Sequence, residues 1–293
     1  MIASSRDKTI QMKIEQTFQA GGSGRTQSYA VELQDITIAF PMADGTNYEA
    51  VGQTHLSVRD REFVAIVGPT GCGKSTLLNA TAGLLVPAQG RIRIFGKDHT
   101  GLNSHAGYLF QQDSLMPWKT SIDNVAIGLE IAGIPRREAL EKARLWMEKV
   151  GLSAFCDRYP HMLSGGQRKR VGLAQVLIRD PQIILMDEPF GPLDAQTRLI
   201  MGDLLLDLWS ADRKAVMFVT HDLDEAIGLA DRVIIMSAGP SSRIIGDYSI
   251  TLPRPRDIAD IKSEPQFQEI HREIWNALKE EVLKGYRQAE ERQ

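Results

Sequence analysis

The run "GPTGCGKST" at Gly68–Thr76 restricts this chain more than any other feature, because the apolar stretch "FVAIVG" leads into it and "KSTLLNATAGLL" follows from it. It satisfies G-x-x-x-x-G-K-[ST], and a strand, glycine loop and helix in that order is the context in which this pattern wraps phosphate. Glycines let backbone N–H groups curve around anionic oxygens without a Cβ in the way, while the helix that follows supplies unsatisfied N–H groups and the positive end of its dipole. The expected binding residues are Gly68, Pro69, Thr70, Gly71, Cys72, Gly73, Lys74, Ser75 and Thr76. In this reading Lys74 reaches the β and γ phosphates of a nucleoside triphosphate and the Ser75 hydroxyl is a ligand for Mg²⁺. A dinucleotide fingerprint fits less well, because it has no use for the lysine.

Further apolar runs, "RIRIF", "AGYLF", "QIILMDE", "KAVMFVTH" and "DRVIIMS", alternate with helical segments. That order predicts an α/β fold with a mostly parallel sheet covered on both faces. An antiparallel β-subdomain is expected ahead of it, from "YAVELQDITIAF" and from "THLSVRDREFVAIVG" read as two strands joined at Arg59–Glu62, with "PMADGTNYEAVG" as a turn-rich connection. Amphipathic segments "SIDNVAIGLEIAG" and "RREALEKARLWMEKVGL" predict a helical insert over about 113–165, the second with Ala139, Ala143, Trp146, Met147 and Val150 on its apolar face. Residues 1–28 are expected to be a mobile tail, 29–250 the main domain and 251–293 an extension. The prolines of "TLPRPRD" interrupt regular structure there, and Phe267, Ile270, Ile274, Leu278 and Val282 then predict one last amphipathic helix.

Two acids close the buried run "IILMDEP". Asp187 is assigned to the Mg²⁺ shell, and Glu188 to the attacking water, as general base or orienting group. His221 stands at the end of another strand, where it would hold γ phosphate and water in register, and Gln111 after "YLF" has the polarity for a metal or water contact. A second helix entry, "LSGGQRKR", offers Ser164, Gly165, Gly166 and Gln167 as another nest of amides. One ATP needs a single set of γ-phosphate contacts. The second nest is therefore explained either as a serine cap with glycines for close packing, or as the completing half of a nucleotide site on another subunit related by two-fold symmetry.

"LSGGQ" together with the phosphate loop and "LMDEP" resembles the nucleotide-binding subunits of ATP-binding-cassette (ABC) transporters, over roughly Tyr29 to Ile250. The resemblance implies a RecA-like P-loop NTPase that hydrolyses ATP to ADP and phosphate as a head-to-tail dimer, with itself or with a similar ATPase subunit. In that dimer Ser164 and Gly166 contact the γ phosphate held by the opposite Lys74, and Asp194 of "GPLDAQT" lies at the interface. Phe110 and Gln111 match the loop that couples nucleotide to the membrane partner, and His221 the switch histidine. Adenine is expected to stack on Phe40, with Tyr48 the second candidate. "FQQDSLMPWKTSIDNVAIGLEIAGI" and "DEPFGPLDAQTR" are similar to importers of nitrate, sulfonates and taurine, and the short extension suits that subgroup better than sugar importers. Lys169 and Gln175 replace the family's usual residues. The implied partners are two transmembrane permease subunits and, indirectly, an extracytoplasmic solute-binding protein, with the chain peripheral on the cytoplasmic face of a bacterial cell membrane.

Composition limits the alternatives. A net charge of −3 over 293 residues offers no bulk positive field for nucleic acid. Nothing near the first residue reads as a signal peptide, and no apolar run reaches the roughly 18 residues of a membrane span. Cys72 and Cys156 form no C-x-x-C pair and are expected as free thiols. The competing readings are a soluble cassette ATPase acting on nucleic acid or ribosomes, which a single cassette without a basic tail disfavours, and the ATPase of an exporter, which shares every catalytic residue.

Overall fold

The computed structural model describes residues 28–290, so the expected tail lies, apart from Ser28, outside the described residues. Two sheets organise the rest. The first is antiparallel, in the order β2-β1-β4-β5: β1 (Tyr29–Pro41), β2 (Asn47–Arg59), β4 (Gln89–Ile94) and β5 (Lys97–Asp98). The second runs β10-β9-β3-β8-β7-β6, from β3 (Phe63–Val67), β6 (Ala106–Leu109), β7 (Ile183–Asp187), β8 (Ala215–Val219), β9 (Arg232–Met236) and β10 (Ile244–Ser249). All its pairings are parallel except that of β10, which runs antiparallel along the edge.

Parallel strands need covering on both faces, which is why their sequences read as unbroken apolar runs. Alternate residues feed different cores. Phe63, Ala65 and Val67 of β3 join Ile184 and Met186 of β7 and Val216 and Phe218 of β8 in one cluster, while Val64, Ile66, Leu185, Met217 and Val219 face the antiparallel sheet in another. Helix α1 (Lys74–Thr81) fills the second cluster with Leu77 and Leu78. A third core lies in the helical insert, among α2 (Ser121–Ile131), α3 (Arg136–Lys149) and α4 (Gly165–Leu177). Ala139, Ala143, Met147 and Val150 are buried there as expected, with Trp146 half-buried. Helices α5 (Ala195–Ala211), α6 (Leu223–Leu229) and α7 (Pro265–Glu290) cover the remaining face of the large sheet.

Two local readings need correction. "RIRIF" does not join the parallel sheet: it forms β4, which pairs antiparallel with β1. "PMADGTNYEAVG" is not turn-rich throughout: β2 already begins at Asn47, and the reversal occupies only 42–46. Asp44 accepts hydrogen bonds from the Thr46 N–H (2.9 Å) and hydroxyl (2.6 Å), which closes the hairpin in a few residues and leaves Tyr48 paired directly with Phe40. Cys156 lies just after a single 3₁₀ turn at Ser153–Phe155, and it and the buried Cys72 are both free thiols, as expected.

The proline-rich extension is tied down by a buried cation. Arg256 Nη1 donates to the carbonyls of Ile227, Gly228 and Ala230 at 3.2, 3.2 and 2.7 Å, and Nη2 to those of Ile250 and Leu252 at 3.5 and 2.9 Å. The guanidinium thereby satisfies the carboxyl end of α6, where orphan carbonyls and the negative end of the dipole favour a cation. Burial, then the neighbouring Arg254 charge, pull its pKa down to about 10, so it stays charged at neutral pH. Beyond it, Phe267, Ile274 and Leu278 of α7 are buried, with Ile270 and Val282 packed against the same core. Replacing Arg256 with Ala would leave five buried carbonyls short of a donor, and the expected loss is about 3 kcal/mol of stability, read as a lower midpoint in urea denaturation.

Candidate functional site

Parallel pairing puts the carboxyl ends of β3, β6, β7 and β8 along one edge of the large sheet: Ile66 lies beside Val219, Val219 beside Asp187, and Met186 beside Leu109. Ligands of open α/β sheets gather at such an edge. From it project the glycine loop after β3, Gln111 after β6, Asp187 and Glu188 at the end of β7, and His221 after β8. Every residue the sequence singled out for metal and water therefore arrives at one place.

The loop is shaped by where its glycines stand. Gly73 caps α1 at φ 94°, a left-handed value, and a Cβ there would come within 2.7 Å of the Val51 side chain, so this position requires glycine twice over. The Lys74 ammonium is buried and donates back into its own loop, to the carbonyls of Gly68 at 2.9 Å and Pro69 at 3.0 Å. Ser75 Oγ donates to Asp187 Oδ1 at 2.8 Å. Burial pushes the Asp187 carboxyl above its ordinary range and the Glu188 charge adds to this, with Ser75 and Lys74 opposing. Uncompensated negative charge beside a hydroxyl oxygen is the environment a hard divalent cation relieves.

Glu188 adopts φ 42°, unusual for a residue with a side chain, and its N–H is held by the Val219 carbonyl at 2.9 Å. That local twist turns its carboxylate to Gln111, whose Nε2 donates to Oε2 at 3.2 Å, and to His221, whose Nδ1 lies 3.4 Å from the same oxygen. His221 is exposed and the Glu188 side chain is about one-fifth exposed, so water reaches both.

Phe40 and Tyr48 are directly opposed in the β1–β2 register and so share one face of the hairpin. Phe40 is partly exposed, while the Tyr48 hydroxyl lies near Gly239, which borders Gly71. The two aromatic candidates thus form one surface. At the other nest, Ser164 Oγ accepts the Gln167 N–H at 3.2 Å and Gln167 Oε1 accepts the Ser164 N–H at 2.9 Å, a reciprocal cap on α4. Gly166 is needed for packing, since a Cβ there would stand 2.5 Å from Thr197 Cγ2. Asp194, exposed, caps α5 through the Thr197 N–H at 3.0 Å. The cap-and-packing explanation of "LSGGQ" therefore holds within the single chain, and it leaves Ser164 exposed.

Two basic residues escaped the sequence reading of the site. Lys169 is buried, and its Nζ donates to the Gln111 carbonyl at 2.6 Å while pairing with Asp113 at 3.1 Å. It fixes the backbone from which Gln111 reaches Glu188. Arg198, in the first turn of α5, meets Asp222 at 2.8 Å and the Leu193 carbonyl at 3.2 Å, and so joins the Asp194 turn to the residue after His221. The signal available beforehand was weak: a lysine in a basic helix reads as solvent-facing.

Comparison with known proteins follows the same lines. A family model described as ABC transporter matches residues 51–191. An uncharacterized ABC transporter ATP-binding protein of Methanocaldococcus jannaschii is 44% identical over 255 residues, spanning 87% of this chain and 93% of that protein. A taurine import ATP-binding protein of Rhizobium johnstonii is 41% identical over 248 residues, 83% of this chain and 94% of the relative. Among solved structures, the dimeric ATP-binding cassette MJ0796 in a post-hydrolysis state with ADP and Pi superposes with a TM-score of 0.67 at 30% identity, covering 76% of this chain and 100% of that one.

Substituting Lys169 with Met leaves the Gln111 carbonyl without its donor and Asp113 with Arg168 alone, at 2.7 Å. The expected cost is about 1–2 kcal/mol, measured by urea denaturation, with a loss of ATPase activity larger than the loss of folded protein.

Proposed function

The chain belongs to the ATP-binding subunits of ABC transporters, ATP-hydrolysing proteins with a RecA-like P-loop fold, and we propose that it powers an importer of small anions of the taurine or sulfonate type. The observation that carries the catalytic part is the meeting of Gln111, Glu188 and His221 beside the Ser75–Asp187 pair. The taurine importers among the relatives support the substrate class.

In this reading the triphosphate lies along Gly68–Thr76, with adenine against the Phe40–Tyr48 surface. Lys74 exchanges the Gly68 and Pro69 carbonyls for β and γ phosphate oxygens, a substitution of one set of acceptors for another that leaves no buried charge unpaired. Ser75 and Asp187 are the residues that would hold Mg²⁺, which when bound neutralises charge on the β and γ phosphates. Glu188 Oε2 takes or orients the proton of the attacking water. His221 and Gln111 fix the direction of that carboxylate, and His221 can also donate toward the γ phosphate. Attack in line then breaks the bond between the γ phosphorus and the bridging oxygen, giving ADP and phosphate.

The exposed Ser164, the half-buried Gly165 and Gly166 beside it, and the exposed Asp194 are proposed to close the nucleotide site of a second ATPase subunit, a reading supported by the dimeric state of the MJ0796 cassette. The proposed partners are separate permease subunits and, through them, a solute-binding protein; no helix among the described residues is long and apolar enough to cross a membrane. The half-buried to exposed Phe110, Trp118, Tyr159 and Met162 near the helical insert are available to such a permease on the cytoplasmic side.

Glu188→Gln keeps the size of the side chain and its hydrogen bonds but removes the basic oxygen. ATP hydrolysis is expected to fall at least about a hundredfold, while ATP binding persists and a nucleotide-dependent dimer accumulates on gel filtration. Normal turnover by this variant would overturn the role given to Glu188. Lys74→Ala is expected to weaken ATP binding itself.

A further inference from the structure

The phosphate loop has a neighbour that its motif does not announce. The last turns of α7 reach it: a Cβ added at Gly285 would lie 3.3 Å from Pro69 Cβ and 3.9 Å from its Cγ. One turn earlier the buried Glu281 accepts the Ala238 N–H through Oε2 at 2.8 Å, and its other oxygen is held by Lys284 at 2.5 Å. Ala238 opens the connection between β9 and β10, which lines the same loop from behind. Within it, the buried Ser242 donates its hydroxyl hydrogen to the Cys72 carbonyl, and a Cβ on Gly239 would stand 3.7 Å from the Gly71 carbonyl oxygen. The helix therefore reaches the phosphate loop twice, directly at Pro69 and through Ala238–Ser242 at Gly71 and Cys72.

We propose that Glu281 and Gly285 make the C-terminal helix a brace for the phosphate loop, positioning residues that set the affinity for nucleotide without touching the reacting atoms. This rests on the reading of Gly68–Thr76 as the ATP site. The loop offers its amides to phosphate only in the curvature seen here, and each degree of freedom left in it must be lost on binding. A buried carboxylate bonded to the Ala238 N–H removes such freedom beforehand. The glycine one turn later lets the helix backbone approach Pro69 closely enough to keep it from swinging outward.

The test uses the full chain. Wild type, Glu281→Ala, Glu281→Gln and Gly285→Leu are titrated with adenylyl imidodiphosphate by calorimetry, and KM and kcat for ATP are measured alongside. Losing a hydrogen bond to a charged group is expected to weaken analogue binding about tenfold in Glu281→Ala and raise KM by a similar factor, with kcat within about twofold. Glu281→Gln keeps an oxygen acceptor for Ala238 and is expected to recover most of the affinity. Gly285→Leu raises helix propensity yet cannot sit against Pro69, so it is expected to weaken binding while α7 stays helical. If Glu281→Ala does not fold, Gly285→Leu decides. A lower kcat with Kd and KM unchanged would mean a packing role only and would overturn the brace. Wild-type affinity in both Glu281→Ala and Gly285→Leu would overturn it too, leaving the ATP site intact, whereas a wild type that binds no analogue would overturn both.

Discussion

The parallel register of β3, β8, β7 and β6 is the constraint on which the rest depends. Because these strands run the same way and are buried on both faces, their carboxyl ends share one edge, and short loops suffice to bring Lys74, Asp187, Glu188, His221 and Gln111 together from positions spread over 148 residues of sequence. A slip of one residue in any pairing would exchange the two cores that its side chains feed. Were β3 to slip, Phe63 would face the antiparallel sheet, and its aromatic contacts with Trp209 and Phe218 would be lost. The precision of the site is thus enforced in large part by apolar packing within the strands that carry it.

Charged groups at the site are held in pairs that carry position from one loop to the next. Lys169 links the helix behind "LSGGQ" to the Gln111 backbone; Arg198 links the Asp194 turn to Asp222 and so to His221. In each case the cation lies in a helix and its partner in a loop, so a rigid body movement of the helix moves the loop with it. Such links give the capped start of α4 and the exposed Asp194 turn a physical route to Gln111, His221 and Glu188.

Much of this was legible in the residues. Continuous apolar runs announced the buried parallel strands, the glycine pattern and its lysine announced the loop, and spacings of three and four announced α7. What local pattern could not reveal were contacts made between distant segments. The turn at 42–46 was read as too long because glycine, asparagine and aspartate all favour turns, while the cross-strand pairing that extends β2 to Asn47 depends on β1. Lys169 was passed over since burial of a lysine is decided by Asp113 and a backbone carbonyl 58 positions away. Arg256 and Glu281 likewise owe their meaning to main-chain groups of other elements. The substrate class was legible only through resemblance, because the proposed cargo meets other subunits.

The cap on α4 has a chemical consequence. A serine oxygen that accepts the Gln167 N–H still carries its own hydrogen, which is free to be donated outward. Aspartate and asparagine terminate helices as well as serine does, but aspartate has only acceptors and a negative charge to present at that spot. Residues that are interchangeable for starting the helix are therefore unequal in what they present outward: serine, like an asparagine amide, keeps a neutral donor there, whereas aspartate offers only acceptors and charge.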